Sequence, residues 1–183
     1  MMKNIIITGG SGYVGSRLIY KLLDETTHKI INYDISLFGD KHLPKHDNFL
    51  YYKEDITDPK KFEEIITKNN VDTVIHLACI SNDPSFDLDP KLGREINLNA
   101  FEPMVKVSKE LGIKRFINAS SSSVYGIQES LDVNEKTEPK PITDYSKFKL
   151  QCEKILEDYS NDEFVVSSIR PATVCGYSKR QRL

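Results

Sequence analysis

Short apolar runs alternate along this chain with longer stretches whose apolar residues recur every three or four positions. Runs of the first kind predict strands buried on both faces, and stretches of the second kind predict amphipathic helices. The first strand is expected at Asn4–Thr8, built on Ile5, Ile6 and Ile7. A helix follows from Gly12 to about Asp24, with Val14, Leu18, Ile19, Leu22 and Leu23 at core spacing. Strands are expected at Lys29–Asp34 and Phe49–Lys53. Asp58 as N-cap and Pro59 in the first turn open a helix that runs to Lys68. A fourth strand covers Thr73–Leu77, and a polar loop rich in Asp, Ser and Pro runs from Ser81 to Pro90. One long helix is expected over Lys91–Leu111, ended by Gly112 and kinked or divided at Pro103. A strand at Arg115–Ser120, a helix from Asp144 to about Tyr159 and a strand at Phe164–Arg170 complete the pattern.

Strands alternating with helices predict an α/β fold: a doubly wound parallel sheet with helices on both faces. The glycines of Thr8-Gly9-Gly10-Ser11-Gly12-Tyr13-Val14-Gly15 stand between the first strand and the first helix, which makes the fold Rossmann-type. Gly9 permits the tight turn, Gly12 lets backbone approach a pyrophosphate, and Gly15 lets helix and strand pack closely. The helix N-terminus, starting at Tyr13 and Val14, then presents free N–H groups and positive dipole to the phosphates. Asp34 ends the second strand about 20 residues further on, where a carboxylate holds the adenosine ribose hydroxyls and repels the extra phosphate of NADP. The cofactor reading is therefore NAD, with a loop-capping role for Asp34 left open.

Tyr145 and Lys149 lie four apart on one helix face. A phenol with a free pKa of about 10 is a poor base at neutral pH, but a neighbouring ammonium and a nicotinamide cation favour the phenolate. Such a tyrosine can exchange a proton with a substrate hydroxyl while hydride moves to or from a cofactor. Upstream, Ser120, Ser121, Ser122 and Ser123 follow the fifth strand, at the end that faces the ligand crevice in open α/β sheets.

The ordered set of motifs resembles the extended short-chain dehydrogenases/reductases, which include NAD-dependent nucleotide-sugar epimerases and dehydratases. The resemblance rests on Gly9–Gly15, Asp34, Asp55-Ile56, His76-Leu77-Ala78-Cys79, Asn97, Ser121 four before Tyr125, Tyr145 with Lys149, and Arg170-Pro171-Ala172-Thr173-Val174-Cys175-Gly176. It implies a catalytic set of Ser121, Tyr145 and Lys149. It further implies adenine contacts at Asp55 and Ile56, and a dinucleotide floor at Leu77, Ala78 and Cys79. Asn97 is implied as the structural asparagine of the long helix, with Pro171 and Val174 beside the nicotinamide. Ser81, Asn82, Ser122, Ser123 and Thr173 are expected to border a nucleotide-diphosphate sugar. Dehydratases of this family carry Asp-Glu after the catalytic residue. Here Ser122 and Ser123 stand there, so an epimerase or a simple oxidoreductase is expected. Thr173 and Cys175 replace the family's usual Asn and Tyr and leave the sugar open. The alternatives are a net 4-ketoreductase or dehydrogenase, and an NAD-sensing protein without turnover. The family also implies a homodimer, for which Phe148, Cys152 and Ile155 serve either a helix–helix interface or packing on the sheet.

Composition narrows the remaining classes. With a formal net charge of -2 the chain lacks the basic excess of a nucleic-acid binder. Lys179, Arg180 and Arg182 are either a solvated tail or a phosphate-binding loop. Three scattered cysteines give no disulfide framework and suggest a reducing compartment. The four histidines form no metal-ligand spacing, and Pro44 separates His42 from His46, so no metal is expected. No apolar run reaches the length of a membrane span, and Thr8-Gly9-Gly10 cuts the N-terminal one too short for a signal peptide. Cytoplasmic residence without membrane association is the expectation. All 183 residues are read as one dinucleotide-binding domain, with too little sequence after Gly176 for the family's substrate lobe. Either a fragment or a natural short form accounts for this; a fragment is favoured, because the apolar Arg170–Gly176 segment otherwise has little to cover it.

Overall fold

The structure is a computed structural model that describes residues 2–81, 83–130 and 132–180. Six parallel strands form one sheet: β1 (Asn4–Thr8), β2 (Lys29–Tyr33), β3 (Phe49–Tyr52), β4 (Thr73–His76), β5 (Arg115–Ala119) and β6 (Val165–Ile169). Their spatial order is β3-β2-β1-β4-β5-β6. The winding reverses between β1 and β4, so the connections after these strands part and leave a crevice at their carboxyl ends. The register aligns Thr8 with His76 and His76 with Asn118, which brings the three strand ends level at that crevice.

Helix α1 (Tyr13–Glu25) covers one face, placing Ile19 and Leu23 on Ile5, Ile7 and Ile30. Helices α2 (Pro59–Asn69), α5 (Phe101–Glu110) and α6 (Asp144–Tyr159) cover the other. There Phe62, Ile66, Phe101, Met104, Val105 and Leu156 pack on Ile6, Ile31, Val74 and Phe116. The expected core is therefore present on both faces, except that Val14, expected at a core position, is 43% exposed in the first turn of α1, and Leu18 and Leu22 are only partly buried. On the α1 side the row Ile7, Ile75, Ile117, Ser167 runs out into exposure at β6, where Val165 and Ile169 are 43% and 55% exposed.

Two expectations need correction. The segment read as a loop from Ser81 to Pro90 contains a short helix, α3 (Asp83–Asp87). Composition gave no sign of it, because α3 is held by tertiary packing: Phe86 is buried against Phe148 of α6 and against Gly93. The long helix divides earlier than Pro103. A short α4 (Pro90–Arg94) passes into one π-helical turn, Glu95–Asn99, and α5 starts at Phe101. Pro103 is then the third residue of α5, where a missing N–H costs little. The wider turn instead brings Asn97 into the interior, as π-turns do at functional sites.

Candidate active site

The glycine loop is fixed by close backbone approach. Gly9 adopts φ +74°, and a Cβ there would lie 2.6 Å from the Ala78 amide nitrogen. A Cβ on Gly15 would lie 2.5 Å from the Gly9 carbonyl oxygen and from the Gly10 Cα. Beyond the loop, α1 begins without a side-chain cap and without an acidic residue in its first turn. By contrast, Asp58, Asp89 and Thr143 cap α2, α4 and α6 with side-chain oxygens. The first N–H groups of α1, at Tyr13 and Val14, are thus left for an anion, which suits a diphosphate. Asp34 accepts the Ser11 N–H at 2.9 Å and the Ser36 N–H at 2.6 Å. The carboxylate does cap the loop, and each oxygen keeps a lone pair for a ribose hydroxyl. These features fit a nicotinamide dinucleotide.

Next to the loop, Tyr33 donates its hydroxyl to the Asp55 carbonyl at 2.7 Å, while Ile56 is buried in the core. Leu77, Ala78 and Cys79 leave β4 half-buried, and Leu77 N–H bonds the Thr8 carbonyl at 2.9 Å. His76 beneath them shares a 2.7 Å hydrogen bond with the Thr8 hydroxyl. Burial, with Lys149 adding to it, pushes its pKa down to about 3. Asn97 accepts the Ile80 N–H at 2.8 Å and donates to the Ile80 carbonyl at 3.0 Å. It therefore clamps the chain that leaves β4. Ser81 is exposed just beyond that clamp; Asn82, also expected to border the substrate, lies outside the described residues.

Helix α6 brings Tyr145 and Lys149 to the end of β5. Thr143 and Ser146 form a reciprocal capping box that fixes the first turn, which contains Tyr145. The Lys149 ammonium is 5.8 Å from the Tyr145 ring centroid and donates to the Ala119 carbonyl at 2.7 Å. Lys149 is only 6% exposed. Burial works against its charge, but Cys79, Tyr145 and Cys152 more than offset this, so it titrates above the ordinary lysine range. Ser121 caps a 3-10 turn, Ser122–Tyr125. Its oxygen accepts the Ser123 N–H at 3.2 Å and the Ser123 hydroxyl at 2.9 Å, which leaves its own O–H to donate. Ser122 N–H bonds the Pro171 carbonyl at 2.9 Å, while Thr173 and Val174 are exposed on the segment that follows.

Three residues outside the expected set of site residues join this cluster, and of these Glu153 alone belongs to no motif read from the sequence. Arg170 forks onto the Glu153 carboxylate, with its Nη2 2.6 Å from Oε2, and Ser120 donates its hydroxyl to the same carboxylate. Arg170 also donates to the Tyr125 hydroxyl at 3.0 Å. The available signal was spacing, since Glu153 stands one helical turn after Lys149 on a buried stripe. Of the residues offered for an interface, Cys152 is buried at 2% exposure and packs on the sheet, and Phe148 meets the Phe86 ring edge to face. Ile155 alone lines an outer groove between α5 and α6, with Leu98 and Pro103. The segment after β6 returns to α1: Tyr13 donates its hydroxyl to the Gly176 carbonyl, and Ser178 bonds the Tyr13 carbonyl at 2.7 Å. Lys179 and Arg180 lie over the rings of Tyr20 and Phe38; Arg182 lies outside the described residues. Among the described residues no cluster of His, Cys, Asp and Glu could hold a metal, and no helix is long and apolar enough to cross a membrane.

Residues 5–183 match the model of the NAD dependent epimerase/dehydratase family. The chain belongs to this family. The chain is similar to the UDP-glucose 4-epimerase of Streptococcus mutans, 28% identical over 84% of this chain and 46% of that protein. The dTDP-D-glucose 4,6-dehydratase of Dictyostelium discoideum is 32% identical over 86% of this chain and 40% of that protein. In structure, the chain is similar to the Bordetella bronchiseptica enzyme WbmG in complex with NAD, with a TM-score of 0.81 and 25% identity over 93% of this chain and 53% of that one. The chain spans about half the length of the epimerase/dehydratase relatives it matches. NAD is the cofactor of the family, and the expected extended short-chain dehydrogenase/reductase fold is the one observed.

Proposed function

We propose that this chain is the dinucleotide-binding part of a longer, two-lobed enzyme that reversibly oxidises a carbinol carbon of a nucleotide-activated sugar, most simply to epimerise it. Gly9, Gly12, Tyr13, Val14 and Gly15 would hold the pyrophosphate of NAD. Asp34, Asp55 and Ile56 would hold its adenosine, and Leu77, Ala78, Cys79, Pro171 and Val174 would border its other half. NAD, when bound, supplies the hydride acceptor and donor. Tyr145 removes the proton from the sugar hydroxyl, and the Lys149 ammonium stabilises the phenolate by charge. Ser121 donates its free O–H to the sugar oxygen. Ser81, Ser122, Ser123 and Thr173 border the sugar nucleotide. A 4,6-dehydration needs an acid and a base beside the catalytic hydroxyl. The Ser122 and Ser123 hydroxyls do not supply them, whatever the overall identity to a dehydratase.

The observation that carries this reading is the placement of Lys149 between Tyr145 and the strand end that leads into Ser121. A second copy pairing through the α5–α6 groove, and action in the cytoplasm, complete the proposal; the three unpaired cysteines suit a reducing setting. The test uses the full-length protein with UDP-, GDP- and dTDP-sugars, following isomer formation and nicotinamide absorbance together. Tyr145→Phe is expected to bind NAD normally and to lose about 10²–10⁴-fold in turnover. Near-wild-type turnover in that variant overturns the mechanism, and stoichiometric reduced or oxidised coenzyme replaces epimerisation by net redox.

A further inference from the structure

The buried carboxylate of Glu153 bonds Ser120 and Arg170, neither of which has a role in the proposed reaction. A charged side chain at 9% exposure is retained at a desolvation cost, so its partners indicate its role. Those partners come from different chain segments, and each segment carries part of the site. Ser120, which donates to Glu153, immediately precedes Ser121. Arg170, bonded through Nε at 3.1 Å and Nη2 at 2.6 Å, immediately precedes Pro171 and the segment with Thr173 and Val174. Tyr125, held by Arg170, closes the 3-10 turn that Ser121 opens. Glu153 itself is on α6, one turn beyond Lys149 and two beyond Tyr145. Lys149 grips Ala119, and Glu153 grips the next residue, Ser120. Helix and strand end are thus pinned at two consecutive residues.

We propose that Glu153 is a positioning residue: through Ser120 and Arg170 it sets the separation between the Ser121 hydroxyl on one side and Tyr145 and Lys149 on the other. The inference rests on the reaction proposed above. Proton transfer is steep in distance, and an error near 1 Å costs up to about a hundredfold in rate. A brace at the junction of α6, β5 and β6 therefore acts on turnover more than on dinucleotide affinity, because none of Glu153, Ser120, Arg170 and Tyr125 is among the residues assigned to NAD.

The experiment compares full-length wild-type protein with Glu153→Gln, Ser120→Ala and the double variant, each loaded with NAD. NAD affinity is expected to stay within about twofold, while kcat falls about tenfold or more at unchanged KM. In crystal structures of the variants the distance from Ser121 Oγ to the Tyr145 hydroxyl is expected to differ from wild type. The double variant is expected to lose no more than the worse single one, as for residues acting through one contact. A lower melting temperature with unchanged kcat and unchanged separation marks a purely structural pair and overturns the proposal; so does a kcat that falls only in step with NAD affinity. If Glu153→Gln does not fold, Ser120→Ala, which removes a single hydroxyl, carries both readouts. If wild-type protein turns over no nucleotide sugar, the proposed reaction fails, while the measured separation still decides the role of Glu153.

Discussion

The His76 imidazole is 4% exposed, and burial with help from Lys149 holds its pKa at about 3, so it is neutral in the folded protein. In the unfolded chain it titrates near its ordinary value of 6.5. The contribution to stability is complete above about 6.5 and is lost as pH falls toward 3, because only the unfolded state then takes up the proton. Between pH 7.5 and 5, the unfolding free energy of wild type is expected to fall by about 2 kcal/mol more than that of His76→Gln. Urea unfolding at the two pH values checks this, and parallel losses in both proteins exclude the assignment. The sequence placed His76 in the right motif but could not supply its state, since that depends on the Thr8 hydroxyl and Lys149 amine brought in from distant segments. Tyr145, Lys149 and Ser121 were marked by helical spacing together with the resemblance to a family, and the structure places Tyr145 and Lys149 side by side at the end of β5. Glu153 carried no such mark, because Ser120 and Arg170 approach it only through the sheet.

At the level of elements, α6 is the part on which the proposed reaction turns. Its capping box satisfies the first-turn amides beside Tyr145. Thr143→Ala is expected to cost about 1 kcal/mol in stability, and to lower turnover as the turn that carries Tyr145 frays; urea unfolding and kcat, measured on one preparation, check the pair of effects. The limits of α6 were readable because Pro139, Pro141 and Thr143 punctuate its start. The division of the preceding helix was not. A proline offers a local reason to break, yet the chain breaks where Asn97 must reach Ile80, a tertiary demand that no local signal carries. Likewise α3 owes its existence to Phe86 meeting Phe148 rather than to helix-forming residues.

For the molecule as a whole, the doubly wound parallel sheet was legible in the strand–helix alternation together with the glycine loop, because right-handed crossovers leave few other ways to wind such a chain. The uncapped start of α1 predicts that NAD binding also stabilises the fold. At a concentration 100 times its Kd, NAD is expected to add about 2.7 kcal/mol to the unfolding free energy. Gly15→Ala is expected to erase that gain, as read from paired thermal melts with and without the coenzyme. The atoms that face a glycine also govern which lesions a second mutation can repair. At Gly93 the obstructing atoms are those of the Phe86 ring, so a smaller residue at position 86 would make room. At Gly9 they are main-chain atoms of Leu77 and Ala78, which every amino acid shares, so no suppressor at either facing position can relieve a side chain there.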